Sequence, residues 1–301
     1  MVLLERIAAL GFVEKVGVSD GEDLLSRDPV AFINSLLKGF MEHVPFQSVS
    51  MIAVPEEERH IPSLEEVVEA GLSLEGGVCF TLNTFMCIVL RALGFHAHVL
   101  DGSHKNSPGS HTHVVVLLQD LRFPGDLHIV DVGGGYPFFE AVAMADLPLE
   151  YYQAGLHRRY ESTTDMGFVL HRGVDHLLKT EDDPNWDKVF DFNMKPVDYN
   201  FFYSYMDRVY VKKDGIFLNS LRAIRFPAAV PGRGAAASDG ERVMVAFKDQ
   251  SLLLGPMDSA EKTKVSTADW AARIKHFFPT IPPVKVDVAV GKMLDLANTS
   301  P

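Results

Sequence analysis

Of the two cysteines in this 301-residue chain, Cys79 stands where a thiol can become a nucleophile. It follows Gly76-Gly77-Val78 and opens a run in which Phe85, Met86, Val89 and Leu90 recur at helical spacing as far as Gly94. The unpaired N–H groups and positive end of a helix favour a thiolate, and the glycines let the backbone turn sharply and leave room beside the sulfur. His113 heads the run Val114-Val115-Val116-Leu117-Leu118. A strand apolar on both faces is buried, so its imidazole is expected at the rim of a core. Asp131 follows Ile129-Val130 and precedes Gly133-Gly134-Gly135. A carboxylate ending a buried strand needs a partner, and an imidazole that becomes cationic is a suitable one. Thiol, imidazole and carboxylate together form an activated nucleophile for group transfer. Each has a plainer reading alone: a buried cysteine is usually inert, as expected for Cys87 among Met86, Ile88 and Val89, and a polar group at a strand end is usually a satisfied structural one.

The elements that must position these residues follow from pattern. Asp28-Pro29 reads as a cap and first turn, followed by Phe32/Ile33, Leu36/Leu37, Phe40/Met41 and Val44, a helix ending at Pro45. Ser63-Leu64-Glu65-Glu66 fits a capping box for a helix running to about Gly71. The third helix is the one that Cys79 opens. After Gly94 the texture changes to short β-rich runs, His96 to Leu100, His113 to Leu118 and Leu127 to Val132, with further strands expected at Gly167 to His171 and Phe201 to Val211. This predicts a small barrel or strongly curled sheet. A third region carries strand candidates at Ile216 to Leu221, Val243 to Phe247 and Leu252 to Leu254, a surface loop at Ala228 to Gly240, and one last helix from Ser266 to Phe278. The fold class is therefore α+β, divided at 1–92 (helical, carrying the nucleophile), 93–206 (β, carrying His and Asp) and 207–301.

Composition removes several function classes. A net charge of −12 opposes a phosphate backbone, so nucleic acid is not an expected partner. The best apolar stretch, Phe85 to Phe95, is short and broken by Arg91, and Met1 to Val16 carries Glu5, Arg6, Glu14 and Lys15; neither a membrane span nor a signal peptide is expected. Two cysteines on one helix, separated by about 12 Å, cannot form a disulfide, which points to a reducing, cytoplasmic setting.

Several segments together resemble the arylamine N-acetyltransferases. Glu75-Gly-Gly-Val-Cys79-Phe-Thr-Leu-Asn83 is similar to the family motif Arg-Gly-Gly-x-Cys-x-Glu/Gln-x-Asn, and Val44-Pro-Phe-Gln-Ser-Val49 to Ile-Pro-Phe-Glu-Asn-Leu. Thr112-His113 and Val130-Asp131-Val132-Gly133 resemble its His and Asp motifs, while Phe190-Asp-Phe before Asp198-Tyr199 and Phe277-Phe278-Pro279 also fit, in the family's order. The resemblance implies a helical domain, a β-barrel domain and an α/β lid around a cysteine-protease-like core. It implies a Cys79–His113–Asp131 triad and a ping-pong reaction, with acetyl-CoA or another acyl-CoA as donor and an arylamine, hydrazine or hydroxylamine as acceptor. No permanently bound cofactor and no metal are implied.

The chain departs from the family pattern at four positions. Glu75 replaces Arg and Gln47 replaces Glu, a pair that bridges by charge in the family; the expected substitute is either a weak Gln47–Glu75 hydrogen bond or a loop held in another way. Thr81 replaces Glu or Gln, and Gly134 stands where an aromatic residue commonly walls the amine pocket, which predicts a roomier one. Residues that hold CoA are not legible; Arg233 and Lys212-Lys213 are candidates whose plainer reading is solvated surface. Three other readings compete. The pairs His96/His98 and His111/His113, two apart on strands, would share a face and supply metal ligands, though no carboxylate lies at a matching offset. A thiol hydrolase or amide synthase would use the same triad on a non-CoA donor. A non-catalytic relative would bind acyl-CoA or a partner without turnover.

Overall fold

The computed structural model describes residues 3–105, 109–163, 165–172, 186–212, 215, 217–230 and 242–299. The N-terminal part is helical: α1 (Arg6–Lys15), α2 (Gly21–Arg27), α3 (Pro29–His43), α4 (Val49–Ala53), α5 (Leu64–Leu72) and α6 (Cys79–Ala92), with a two-residue strand β1 (Phe46–Gln47). The local chemistry is as the sequence dictates. The Asp28 carboxylate accepts from Ala31 N at 3.0 Å with Pro29 in the first turn, and the Ser63–Glu66 capping box forms in both directions.

Eight strands follow: β2 (His96–His104), β3 (His113–Gln119), β4 (Leu127–Val130), β5 (Val142–Ala143), β6 (Leu149–Gln153), β7 (Leu156–Ser162), β8 (Met166–Arg172) and β9 (Asp187–Val197). They form one antiparallel sheet in the order β5-β4-β3-β2-β9-β8-β7-β6. Helix α7 (Tyr203–Tyr210) leads into β10 (Arg222–Arg225), β11 (Met244–Lys248), β12 (Ser251–Gly255) and β13 (Glu261–Lys264), and α8 (Trp270–Phe277) and α9 (Pro283–Thr299) end the chain. These strands make a second antiparallel sheet, β1-β10-β11-β12-β13, so a strand from the helical region is paired with the C-terminal one.

Helix α6 is the centre of the larger core. Except for Thr81, every residue from Cys79 to Leu90 is buried, and the helix packs against β2 and β3 on one side and α5 on another. Phe12, Phe40 and Phe85 meet edge to face in this core. β3 is buried through its first six residues, His113 to Leu118, as its unbroken apolar run requires. A second core joins Val245, Phe247, Trp270, Phe277 and Val286 to Val49 and Ile52 of α4.

The structure differs from expectation in places. Phe201 to Val211 is not a strand: a short 3-10 turn, Tyr199–Phe202, runs into α7. Its aromatic residues suggest β structure, but Phe202, Met206, Val209 and Tyr210 are buried at helical spacing, and that burial decides. Ile216 lies outside the described residues; 217–221 are turns, bends and coil, and the strand begins at Arg222. Most of the Ala228 to Gly240 loop also lies outside them. Strands β1, β5, β6, β7, β9 and β13 had no expectation, and the helix expected to be the last, α8, is followed by α9. Among the described residues no helix is long and apolar enough to cross a membrane.

Candidate active site

The turn before α6 is built to present Cys79. Gly76 has φ +87°, and a Cβ there would stand 2.0 Å from the Pro45 carbonyl oxygen; one on Gly77 would stand 2.2 Å from Thr81 Oγ1. Backbone bonds from Gln47 N to Gly77 O at 2.8 Å and from Gly77 N to Pro45 O at 3.2 Å fix the turn against β1. Cys79 is 4% exposed and its Sγ lies 3.8 Å from the Thr112 carbonyl oxygen, beside His113.

His113 pairs with Gly102 where β3 meets β2, so the imidazole enters the core over a residue with no side chain. Its Nε2 lies 2.9 Å from Asp131 Oδ2, and the ring lies close enough to Cys79 for the sulfur's charge to favour the imidazolium. With Nε2 committed to the carboxylate, Nδ1 is the nitrogen left for sulfur. Phe190 packs on the ring at 4.5 Å between centroids and His104 at 5.4 Å. The three residues separated in sequence do converge.

Asp131 is held from several directions. Its Oδ1 accepts from Asn83 Nδ2 at 2.8 Å and from Gly133 N at 3.1 Å. Asn83 is itself saturated: Nδ2 also reaches Val114 O at 2.5 Å, and Oδ1 accepts from Val132 N at 2.8 Å. Asn83 lies one turn beyond Cys79 on α6, so one helix face presents the sulfur and ties down the carboxylate strand. A Cβ on Gly133 would sit 2.7 Å from both Cys79 Cα and Asn83 Nδ2, so glycine lets the segment after β4 approach Cys79.

Electrostatics favour an ion pair. Burial pushes the His113 pKa down, but the adjacent Asp131 charge and hydrogen bond, with Cys79 adding to them, outweigh it and raise the value to about 10. For Asp131, burial raises the pKa, and the His113 charge, the bonds from His113 and Asn83, and the Arg158 charge bring it below the usual carboxylate range. Arg158 is buried and anchored to Tyr160 Oη and the Pro137 carbonyl, both at 2.7 Å. The sulfur of Cys87, by contrast, lies in apolar surroundings that push its pKa up to about 11, and both cysteines are free thiols.

The departures from the family pattern resolve into specific contacts. Gln47 and Glu75 are joined through the Glu75 backbone and not through its carboxylate. Gln47 is fully buried and bonds the Ser50 hydroxyl at 2.8 Å and the backbone oxygen of Glu75 at 3.4 Å. The Glu75 carboxylate instead takes Lys285 Nζ of α9 at 2.6 Å. A carboxylate finds better compensation in a cation than in an amide. Thr81 turns back to the Val78 carbonyl at 3.0 Å. A Cβ at Gly134 would come 3.2 Å from the Tyr136 ring and 3.3 Å from Asp131 Oδ2, so Tyr136 and the carboxylate border the space expected there.

The histidine pairs do not form a metal site. His111 precedes β3 with φ +55°, so it does not share a strand face with His113. Carboxylates do lie beside two of these rings: His111 Nδ1 is 2.9 Å from Asp101 Oδ2, and His96 Nδ1 is 2.8 Å from Asp120 Oδ2. Among the described residues no group of three or more His, Cys, Asp or Glu has ligand geometry. Of the CoA candidates, Lys212 pairs with Asp207 at 2.9 Å, while Lys213 and Arg233 lie outside the described residues. Sequence reasoning assigned no role to Asn83 or Arg158. The signal for Asn83 was its offset of one turn from Cys79; Arg158 carried only the alternation Leu156, Arg158, Tyr160 on β7.

The fold has close structural parallels. The arylamine N-acetyltransferase of Nocardia farcinica superposes with a TM-score of 0.72 at 17% identity, covering 97% of this chain and 95% of that one. The Mycobacterium marinum arylamine N-acetyltransferase in complex with CoA gives 0.66 at 17% identity over 88% and 94%. A Bacillus cereus arylamine N-acetyltransferase described as having a unique Cys-His-Glu catalytic triad gives 0.61 at 18% over 82% and 89%. A search of curated protein sequences finds no match. The sequence pattern of the N-acetyltransferase family matches residues 30–230, from α3 through the sheet and α7 to the strand β10. With two thirds of its length inside that pattern and the same architecture over most of the rest, the chain belongs to the N-acetyltransferase family as an arylamine N-acetyltransferase-like enzyme.

Proposed function

We propose that the chain transfers an acetyl or other short acyl group from acyl-CoA to an aromatic amine, hydrazine or hydroxylamine through a thioester on Cys79. The observation that carries this is the buried His113 ring, 2.9 Å from Asp131 Oδ2 and beside Cys79, whose Sγ lies 3.8 Å from the carbonyl oxygen of the preceding Thr112. In the first half-reaction the Cys79 sulfur attacks the thioester carbonyl, and the tetrahedral intermediate collapses with cleavage of the bond to CoA sulfur. The His113 imidazolium returns a proton to the leaving thiolate. In the second, the amine nitrogen attacks the acyl-enzyme, His113 takes the nitrogen's proton, and the Cys79 thiolate departs. Asp131 keeps the ring in one orientation and stabilises its cationic form.

Related proteins of known structure include one solved with CoA, which supports a CoA donor that visits the site rather than a resident cofactor. On this reading residues 1–92 supply the nucleophile, 93–206 the base and carboxylate, and 207–301 cover the turn before Cys79, a role that the Glu75–Lys285 contact supports. The buried position of all three groups favours transfer to amine over loss to water. The test is initial-rate kinetics with acetyl-CoA against a panel of arylamines and hydrazines. The reading expects parallel double-reciprocal lines for any acceptor that turns over. Intersecting lines would mean that both substrates bind before chemistry and would contradict a free acyl-enzyme.

A further inference from the structure

Behind the turn that presents Cys79 lies a cavity of about 550 Å³, bounded by α4, α5, Gly76-Gly77 and the start of α9. Cys79, His113 and Asp131 are not among its walls, so it is separate from the site already described. Its volume falls in the range that holds a small organic molecule. Met51, Val54, Pro62 and Pro282 give it an apolar body.

The charges around it are unevenly matched. Glu75 is taken by Lys285, and Glu66 by His60 Nε2 at 2.8 Å and by Ser63 N at 2.7 Å. Glu69, on α5, lines the cavity from an exposed position. Arg59 lines the cavity and, among the described residues, makes no ion pair; its Nε is buried with no hydrogen-bond partner. A buried donor left unpaired is costly, and a guanidinium suits a carboxylate by geometry as well as charge.

We infer that this cavity binds an amphipathic carboxylate, its acid group on Arg59 and its apolar body against Met51, Val54 and Pro282. The ligand is not the acyl donor or acceptor, because no reacting atom lies in the cavity. It would press on Gly76-Gly77 and Thr81, the segment that sets the position of the sulfur.

The test is isothermal titration of the full chain with 4-phenylbutyrate, and with the neutral 4-phenylbutyramide as control. The proposal expects saturable binding of the acid, retained after Cys79 is blocked by iodoacetamide and weakened at least about tenfold in Arg59→Met, the loss of one charge-assisted bond. The amide should be weaker by a similar factor. Ala70→Leu, which fills the cavity from α5, should abolish binding and serves if Arg59→Met does not fold. No saturable binding to the native protein, equal affinity for acid and amide, or loss of binding on blocking Cys79 would each overturn it. None of these outcomes depends on acyl transfer.

Discussion

Asn83 donates its side-chain amide to Asp131 Oδ1 at 2.8 Å while its own Oδ1 accepts from Val132 N at the same distance. Helix α6 thus carries both the sulfur and the clamp on the carboxylate that faces the imidazole. Asn83→Ala would leave the Val132 N–H unsatisfied in a buried setting and take one of its two donors from Asp131 Oδ1, which would keep only Gly133 N. We expect a loss of about 1–3 kcal/mol of stability per orphaned group, read by denaturant unfolding, and a fall in acylation rate larger than any change in acetyl-CoA affinity.

The ion pair makes a signed prediction about pH. His113 has a raised pKa, so its stabilising contribution is complete below its ordinary value of 6.5 and is lost as pH rises through about 10. Asp131 has a lowered pKa, so its contribution is present above 3.8 and is lost as pH falls through that lowered value. Stability should be flat with respect to this pair between pH 3.8 and 6.5 and should decline as pH rises from 6.5 toward about 10. In Asp131→Asn the charge that opposes burial is gone, so the His113 pKa should drop below 6.5. Nitrogen-15 NMR of the imidazole at pH 8 should report a cation in the native protein and a neutral ring in the variant. A cation in both would contradict the assignment of the pair.

Gly133→Ala tests the close approach of the segment after β4 to Cys79. The added methyl would meet the backbone of Cys79, which cannot swing aside as a long side chain would. Overpacking of this kind costs about 1–3 kcal/mol. The melting temperature should fall and acylation should slow together. Gly109→Ala, where a Cβ would have nothing within 4 Å although φ is +70°, should lower stability through backbone strain without slowing acylation.

Lys285→Met removes the cation opposite Glu75. Because Lys285 is 41% exposed, solvent screens the pair, and we expect no more than about 1 kcal/mol of stability to change. If the contact steadies the Cys79 turn, iodoacetamide should modify Cys79 at a different rate in the variant while the melting temperature hardly moves. An unchanged rate would reduce the pair to surface chemistry.

The helices were legible where caps and apolar spacing agreed, as at Asp28-Pro29 and Ser63 to Glu66, and the strand that His113 opens and the one that ends just before Asp131 were legible from apolar runs. Legibility failed where composition and packing disagree. The aromatic run at Phe201 to Tyr205 has strand propensity but is buried one face at a time around a helix, and Glu261–Lys264 is a fully exposed edge strand with no apolar residue. Cys79, His113 and Asp131 could be singled out as candidates because each sits at or next to an element's end. The clamp of Asn83 and the charge of Arg158 behind Asp131 depend on contacts between elements far apart in sequence, which no local pattern encodes.

Acyl transfer through Cys79 is tested most directly by intact mass spectrometry of the protein mixed with acetyl-CoA and no acceptor. A single added acetyl group is expected, located on Cys79, absent from Cys79→Ala, retained in Cys87→Ala and removed by a competent amine. Acetylation of Cys87 instead, or an unmodified protein across a range of acyl-CoA donors, would contradict it.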